Sequence, residues 1–383
     1  MWINIRRNVH KSNLEYVPAS SYTIAVDAVE FRENRPMRAY ILDTIGDCAD
    51  SDSPLTFTEL SDPLPRDGEI LVRVSACGIC HTELDEIEGR TPPPHMPVVP
   101  GHQIIGRVES VGKNAKKFST GDRVGIAWIH SSCGTCEYCL SGCENLCPAF
   151  VATGRDVNGG YAEFTTVSED YTYPIPDRFT DNQAAPLLCG GAIGFRSLRL
   201  TGLTDGQNLG LTGFGASAHL ILRMTRHLFP RSQCFVFARS QNERAFALDL
   251  GATWAGDISD RSPRPLHAII DTTPAWKPVL KALENLAPGG RLVINAIRKE
   301  HSDIEQVLAL DYPRHLWMEK EIKSVANVAR HDVAEFLRLA DKIPIIPTIE
   351  VYPFDKIAVA LRDLKKGIIR GAKVLQIGEN END

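Results

Sequence analysis

The chain has 383 residues, a length that predicts two or three domains, and its hydrophobic and charged fractions of 43% and 23% are typical of a globular protein with a packed core. Its net charge of −6 and the lack of a long basic run disfavour a protein that binds nucleic acids or anionic membranes, because both need a basic surface. No stretch of the sequence reaches the roughly 18 apolar residues that a membrane-spanning helix requires.

The first 36 residues are polar and only weakly periodic, and we interpret residues 1–36 as an extension in front of a compact domain. They contain basic residues but no apolar segment behind them, which disfavours a secretory signal peptide. We therefore expect a cytoplasmic protein. In that reducing compartment, clustered cysteines indicate metal binding or catalysis rather than disulfide bonds.

Residues 37–187 predict the first part of a β-rich domain. MRAYILD predicts its first strand, and further strand-like runs follow in EILVRVSACG, QIIGRVESVG, DRVGIAW and YAEFTTV. Gly, Pro and Asp separate these runs, which is typical of short strands joined by turns. The loops of this domain are expected to carry functional residues.

Residues 188–327 change to an alternation of strands and helices. The predicted strands are NLGLTG, CFVFA, PLHAIIDT and RLVINA, and the predicted helices are ASAHLILRMTRHL, NERAFALDLG and PVLKALENLAPGG. This alternation predicts a parallel sheet with helices on both faces, so the overall fold class is α/β. Residues 328–383 add two helices and two strands, which we expect to return to the first domain.

Five cysteines fall within fifteen residues, in CGTCEYCLSGCENLC. Two-residue gaps let neighbouring thiolates turn onto one cation, so Cys133, Cys136, Cys139 and Cys147 predict a structural zinc site with four sulfur ligands. Cys143 lies within the longer gap, and we expect it to bind no metal. An iron–sulfur cluster and a loop whose thiols hold no ion are the alternatives.

Three further candidate ligands lie far apart in the sequence: Cys80 in CGICHTEL, His102 in VPGHQIIG and Cys189 in PLLCGG. Each lies beside glycines or at a predicted strand end, where a side chain can reach a cleft. Two thiolates and one imidazole leave the fourth tetrahedral position open, as a catalytic zinc requires. From the residues alone, Cys77 competes with Cys80, and buried cysteines with a hydrogen-bonded core histidine are the alternative.

LTGFGASA predicts a phosphate-binding loop, because Gly213, Gly215 and Ala218 fit the pattern G-x-G-x-x-A between a strand and a helix. Its glycines permit a tight turn, and the helix N-terminus presents free N–H groups to a pyrophosphate. The alternative is a glycine turn without a ligand. After the next strand come Arg239 and Ser240 instead of an acidic residue, which favours NADP over NAD because an arginine pairs with a 2′-phosphate.

Taken together, the chain from about residue 37 to 378 resembles the zinc-dependent alcohol dehydrogenases of the medium-chain dehydrogenase/reductase family. The resemblance rests on CGICHTEL, PGHQIIGRVESVG, GDRVGIAW, the four-cysteine loop, GGYAEF, LLCGG and TGFGASA, in the order of the family. It implies a GroES-like catalytic domain, a Rossmann cofactor domain and two zinc ions per chain. The implied ligands of the catalytic zinc are Cys80, His102 and Cys189, and those of the structural zinc are the four cysteines of the loop.

The resemblance also implies roles around the catalytic zinc. Thr82 matches the hydroxyl that relays the substrate proton, and Trp128 matches an aromatic wall of the substrate pocket. Glu83 matches the carboxylate behind the metal, with Arg370 as its partner. His81 and Arg370 are placed with the cofactor-binding residues. The implied reaction is hydride transfer between nicotinamide and the carbon of a zinc-bound alcohol or aldehyde.

Three residues depart from the family pattern. Asp85 stands where many relatives have the histidine that ends the proton relay, and it is expected to act as a weaker base or to be replaced by solvent. Gln103 replaces the glutamate that usually follows the zinc-binding histidine, which raises the net charge of the site by one. Ile193 replaces a threonine that often touches the nicotinamide.

The resulting hypothesis is an NAD(P)-linked alcohol dehydrogenase or aldehyde reductase that acts on a small or medium alcohol or aldehyde. A polyol dehydrogenase is the nearest alternative, although Trp128 favours a less polar pocket. A catalytically idle zinc- and nucleotide-binding protein with a regulatory or scaffold role is the alternative from another class. Because the family commonly forms dimers or tetramers, a homo-oligomer is expected.

Overall fold

The computed structural model describes residues 36–49 and 55–378. The proposed extension, apart from Pro36, lies outside the described residues. No helix in the described part of the chain has the length and apolar character needed to cross a membrane. All ten cysteines lie in the described part and are free thiols.

The described residues form two main sheets and two short strand pairs. The strands are β1 (Met37–Leu42), β2 (Leu55–Leu60), β3 (Glu69–Ile79), β4 (Gln103–Val111), β5 (Arg123–Ile126), β6 (Ile129–Ser131), β7 (Val151–Ala152), β8 (Phe164–Ser168), β9 (Thr172–Pro174), β10 (Leu209–Thr212), β11 (Cys234–Phe237), β12 (Trp254–Gly256), β13 (Leu266–Asp271), β14 (Leu286–Ile294), β15 (Glu321–Ser324), β16 (Ile349–Pro353) and β17 (Ala372–Gln376).

Ten α-helices are distributed among these strands in the described residues. They are α1 (His81–Ile87), α2 (Glu137–Leu140), α3 (Asp181–Ala184), α4 (Gly190–Thr201), α5 (Ala216–Leu228), α6 (Gln241–Asp249), α7 (Lys277–Asn285), α8 (Tyr312–His315), α9 (Arg330–Lys342) and α10 (Ile357–Lys365). The sequence predicted that α7 continues to the Pro-Gly pair, but the helix ends at Asn285 and LAPGG begins β14. These residues form a strand rather than a helix because Pro288 restricts Ala287, the residue before it, to extended conformations.

The β domain, which carries β1–β9, β16 and β17, is built on a mostly antiparallel sheet in the order β16-β17-β3-β4-β5-β9, with β8 also paired to β3. The long strand β3 is buried along most of its length because it lies inside this sheet. The last strand, β17, runs antiparallel to β3, so the end of the chain returns to the sheet that its first half began.

The α/β domain, which carries β10–β15, has a parallel six-stranded sheet in the order β12-β11-β10-β13-β14-β15. The strands β10 and β11 are buried at every position, as expected for a parallel sheet covered on both faces. The strand order changes direction between β10 and β13, and in such sheets ligands bind beyond the carboxyl ends of the strands at this point.

Helix α4 joins the two domains through a shared hydrophobic core, which runs from Ile105 of the β domain through Leu188 to Phe336 of α9. Its glycines allow close packing, since a Cβ added at Gly191 would lie 2.2 Å from the ring of Phe336. The position of α4 is therefore fixed from both sides, and so is the position of Cys189, the residue just before it. The α/β fold class expected from the sequence is confirmed.

Candidate functional site

Three distant segments bring Cys80, His102 and Cys189 together. Cys80 follows β3 and caps the N-terminus of α1, His102 precedes β4, and Cys189 precedes α4. The ligand atoms of the three side chains all lie within 4.8 Å of one another, and Cys80 Sγ is 3.9 Å from His102 Nε2. The arrangement offers two sulfurs and one nitrogen to a cation.

The imidazole of His102 is oriented from behind by a buried carboxylate. His102 Nδ1 lies 2.6 Å from Glu83 Oε1, and Glu83 Oε2 accepts a 2.8 Å hydrogen bond from the Cys80 N–H. Burial opposes charge on both side chains, but their mutual attraction lowers the pKa of Glu83 and raises the pKa of His102 well above its usual value. This contact leaves Nε2 to face the sulfur of Cys80.

The predicted pairing of Glu83 with Arg370 is wrong in this structure. Glu83 is fully buried beside His102, whereas the Arg370 guanidinium is exposed, 4.9 Å from the ring centre of Phe246 and 3.6 Å from an oxygen of Asp249. Arg370 therefore lies against α6 of the α/β domain. The sequence pattern singled out Arg370, but it could not show that this arginine contacts Asp249 rather than Glu83.

The structure shows which of Cys77 and Cys80 joins the group of candidate ligands, a choice that the residues alone left open. Cys77 is completely buried in the sheet, and its Sγ contacts the carbonyl oxygen of Gly78 at 3.6 Å. It does not join the group of candidate ligand atoms in the described residues. Cys80 reaches that group because it stands where β3 ends and α1 begins.

Thr82 and Trp128, two of the other predicted site residues, contact members of this group. The N–H of Thr82 donates to Cys80 Sγ at 3.4 Å, and the Trp128 ring meets the His102 ring edge-on with centroids 4.8 Å apart.

Three further predicted residues lie near the ligands in sequence. Gln103 is buried, and its side chain packs against Gly78 of β3, where an added Cβ would collide with it. His81 opens α1 and its side chain is exposed, while Ile193 lies in the first turn of α4.

Asp85, assigned from the sequence to the end of a proton relay, is an ion-pair partner in the structure. Its Oδ1 accepts hydrogen bonds from Arg90 Nε at 2.6 Å and from Arg298 Nη2 at 2.8 Å. Arg298 belongs to the α/β domain and was not recognised in the sequence. The signal that could have found it is the basic pair Arg298–Lys299 just beyond a predicted strand.

The four cysteines of the loop also meet. Sulfur–sulfur distances are 3.8 Å between Cys133 and Cys139, 3.6 Å between Cys136 and Cys139, and 3.5 Å between Cys147 and Cys133. Four sulfurs about 2.3 Å from a tetrahedral zinc would be about 3.8 Å apart, so the spacing fits that ion. Cys143 does not belong to this group.

Backbone groups prepare one of these sulfurs for a cation. The N–H groups of Thr135 and Cys136 donate to Cys133 and lower the pKa of its thiol to about 6. The thiolate is the form that binds metal. The loop is itself held against the start of α9, where Glu144 pairs with Arg330 and the Asn145 amide donates to the Ala326 carbonyl oxygen at 2.6 Å.

The predicted phosphate loop connects β10 to α5. Gly213 has a φ of 77°, and a Cβ there would lie 2.7 Å from Thr272 Oγ1, so this position requires glycine. A Cβ added at Gly215 would meet no atom within 4 Å, which leaves the loop open where α5 begins. Ala218 is fully buried in the contact between α5 and the sheet. The loop therefore offers an open helix N-terminus of the kind that binds phosphate.

Arg239 and Ser240 lie beyond the carboxyl end of β11. The Arg239 side chain is exposed and forms no hydrogen bond or ion pair with the described residues. The Ser240 hydroxyl caps α6, since it accepts from the Glu243 N–H at 3.1 Å and donates to the Glu243 carboxylate at 2.8 Å. Arg239 is free to meet a ligand, whereas Ser240 already has a structural partner.

Comparisons with known proteins identify the family. The profile of the alcohol dehydrogenase GroES-like domain matches residues 66–177. The chain is 42% identical over 329 residues to the probable alcohol dehydrogenase AdhA of Mycobacterium tuberculosis, which covers 85% of this chain and 93% of the relative. It is 31% identical to an alcohol dehydrogenase of Geobacillus stearothermophilus over 85% of this chain and 96% of that one.

The chain belongs to the medium-chain dehydrogenase/reductase family, among its alcohol dehydrogenases. A solved cinnamyl alcohol dehydrogenase from Sorghum bicolor superposes on this dehydrogenase with a TM-score of 0.80 at 26% identity, over 91% of this chain and 100% of that one. The dehydrogenase is therefore an oxidoreductase that acts on CH–OH groups, with a GroES-like β domain and a Rossmann-type α/β domain. The resemblance stated from the sequence is confirmed.

Replacing Cys136 by Ser should remove one ligand from the four-cysteine group. We expect loss of about one zinc ion per chain and a fall of about 2 kcal/mol or more in the free energy of unfolding, because metal affinity is coupled to folding. Metal analysis by atomic emission and thermal unfolding measure both quantities.

Cys143→Ser is the matched control in the same loop. It should keep the metal content and change the free energy of unfolding by less than about 0.5 kcal/mol. Loss of zinc from the Cys143 variant, with full zinc in the Cys136 variant, would show that the assignment of the ligands is wrong.

Proposed function

We propose that this dehydrogenase interconverts small or medium-sized alcohols and aldehydes, with one zinc ion at Cys80, His102 and Cys189 and NADP preferred over NAD. The convergence of these three side chains carries the proposal. For a tetrahedral zinc bound by one sulfur and one nitrogen, the two ligand atoms would be about 3.6 Å apart. The distance of 3.9 Å from Cys80 Sγ to His102 Nε2 is close to that value.

The donor set has the charge and coordination number of a catalytic zinc site. Two thiolates balance the charge of Zn²⁺, and three protein ligands leave one position for a substrate oxygen. When bound there, zinc supplies Lewis acidity to the substrate oxygen. The carboxylate of Glu83 stays outside this set and holds the His102 ring through Nδ1.

The residues around the open position suit a modest apolar substrate. Trp128 is buried and packs edge-on against His102, so its ring can shape one wall of the substrate pocket. Thr82 follows the ligand Cys80 by two residues on α1, and we assign its hydroxyl to the removal of the substrate proton. The ring of Trp128 disfavours a polyol dehydrogenase, because a polyol needs a more polar substrate pocket.

The carboxyl edge of the parallel sheet suits a nicotinamide dinucleotide. Gly213, Gly215 and the N-terminus of α5 would receive the pyrophosphate, and His81 and Arg370 are additional candidates for it. The nicotinamide ring donates or accepts the hydride. Arg239 is the candidate partner of a 2′-phosphate because its guanidinium is exposed and unpaired among the described residues.

The cysteines support the proposed cytoplasmic location. Seven of them form the two candidate metal groups, and all ten are free thiols. Thiols that must bind zinc need a reducing environment, since oxidation to disulfides would remove the ligands.

Cys80→Ser should reduce turnover of a panel of aldehydes by at least about a hundredfold, because serine is a poor zinc ligand. The fold should persist, because the serine hydroxyl can replace Sγ as the cap that accepts the Thr82 N–H at the start of α1. The measurement is reduced-cofactor consumption by zinc-loaded enzyme, with circular dichroism to show that the fold persists. Cys77→Ser is the matched control, since a hydroxyl can keep the contact with the Gly78 carbonyl oxygen. Near-normal activity of the Cys80 variant would contradict the proposal.

Arg239→Ala should raise the KM for NADPH about tenfold and change the KM for NADH less than about twofold, because a charge-assisted hydrogen bond to the 2′-phosphate is lost. Arg264→Ala removes an exposed arginine before β13, at the opposite edge of the sheet, and should change neither constant. Equal effects of Arg239→Ala on both cofactors would eliminate the argument for NADP.

The proposed homo-oligomer has a candidate surface at β15, the edge strand of the parallel sheet. Every residue of Glu321–Ser324 is exposed, and Trp317 and Met318 next to it are more than half exposed. An unpaired edge strand can pair with a second copy around a two-fold axis. In antiparallel pairing centred on Ile322, the Glu321 of each strand faces the Lys323 of the other, so the charges are complementary.

Ile322→Asp should shift the oligomer to a smaller species, because it places like charges at the centre of the proposed strand pair. Light scattering after size-exclusion chromatography reports the mass. Leu64→Asp is the control, since Leu64 is 81% exposed and lies outside the α/β domain. An unchanged mass of the Ile322 variant would show that β15 is not the interface.

A further inference from the structure

A line of alternating charges connects the two domains on the side of the metal ligands. It consists of Asp47, Lys365, Glu88, Arg90, Asp85, Arg298 and Glu300. All members up to Asp85 belong to the β domain, on α1, on α10 or in the nearby loops. Arg298 and Glu300 follow β14 in the α/β domain. The 2.8 Å contact between Asp85 and Arg298 is the step that crosses between the domains.

The loop that carries Arg298 is firmly attached to its own sheet through the next residue. Lys299 Nζ binds the carboxylate of Asp271 and the carbonyl oxygen of Thr273, the latter at 2.7 Å. Asp271 is fully buried and also accepts a 2.6 Å hydrogen bond from Thr212, the residue before Gly213. Lys299 therefore fixes the loop beside the phosphate loop, while Arg298 reaches the other domain.

The Asp85–Arg298 contact lies near both parts of the proposed site, the metal ligands and the cofactor-binding edge of the parallel sheet. Asp85 lies five residues after Cys80, on the helix that Cys80 caps. Arg298 lies just beyond the carboxyl end of β14, on the sheet edge where a dinucleotide binds in folds of this type. An ion pair between these residues holds the cofactor edge of one domain close to the metal-binding helix of the other.

The side chains of the Asp85–Arg298 pair are more buried than those of a surface ion pair, so removal of one partner is more costly. The Asp85 side chain is 8% exposed and that of Arg298 is 20% exposed. In addition to Arg298, Asp85 binds Arg90, so its negative charge is shared between two guanidinium groups. Separation of the domains would leave the carboxylate with one cation fewer and would return Arg298 to water.

We propose that Arg298 and Asp85 are positioning residues that form a clasp over the bound nicotinamide dinucleotide and slow its release. The inference rests on the proposed function, because it needs a cofactor at the carboxyl edge of the sheet. It also explains why this chain has an aspartate where the relay histidine of many relatives is expected. The carboxylate binds a guanidinium of the other domain instead of receiving the substrate proton.

The test measures the dissociation rate constant of NADPH and of NADH from zinc-loaded enzyme, by stopped-flow fluorescence with an excess of oxidised cofactor as the trap. Arg298→Met keeps an unbranched apolar side chain like the aliphatic part of arginine and removes its charge, and Asp85→Asn removes the opposite charge. Each variant should release the cofactor about five- to fiftyfold faster than the wild type. The double variant should release it no faster than either single variant, because both lose the same contact.

Arg231→Met is the matched control. It breaks the ion pair of Arg231 with Asp205, which lies within the α/β domain, and should leave the rate constant within about twofold of the wild type. Raising the ionic strength should accelerate release from the wild type more than from Arg298→Met, because salt screens the partly exposed clasp.

The possible results distinguish the clasp from a role of Asp85 in proton transfer. If Asp85 receives the substrate proton, Asp85→Asn slows turnover and alters its pH profile with unchanged cofactor release, and Arg298→Met does not reproduce this effect. That result, or wild-type release in Arg298→Met, overturns the clasp and leaves the proposed function intact. If neither NADPH nor NADH binds the wild type, the proposed function and the clasp both fail.

Discussion

The structure depends on one constraint: three side chains from distant parts of the chain must meet around a space the size of one cation. Cys80 and His102 come from neighbouring strands of the β domain, but Cys189 arrives with helix α4. The hydrophobic core that α4 shares with both sheets fixes the position of Cys189. A core that held only the two sheets separately would leave Cys189 without a defined position.

The electrostatics of the site follow from the same burial. Glu83 and His102 are almost inaccessible to water, and a charge on either would be costly without the other. Through this contact, the buried carboxylate of Glu83 orients the candidate metal ligand His102. The two groups therefore stabilise each other's charge, and the imidazole keeps Nε2 directed toward Cys80 Sγ, 3.9 Å away.

Much of this architecture was visible in the sequence because it depends on local pattern. The spacing of Cys133 to Cys147 and the glycines of the phosphate loop are set by backbone geometry, so the residues alone predicted them. The choice of Cys80 over Cys77 needed the family resemblance, since the two lie three residues apart, one near the end of β3 and the other just beyond it. The partners of Glu83, Arg370 and Asp85 could not be predicted, because charged side chains select partners by tertiary proximity. The contact of Asp85 with Arg298, 213 residues away, leaves no pattern in the sequence.

The contact of the four-cysteine loop with α9 has a consequence for the candidate metal site at Cys80, His102 and Cys189. Glu144 holds Arg330 in the first turn of α9, and Asp332 in the same turn binds Arg196 on α4. Helix α4 starts at the residue after Cys189. The loop thus supports the helix that follows the candidate ligand Cys189, so damage to the four-cysteine loop would also displace the sulfur of Cys189 from its two partners.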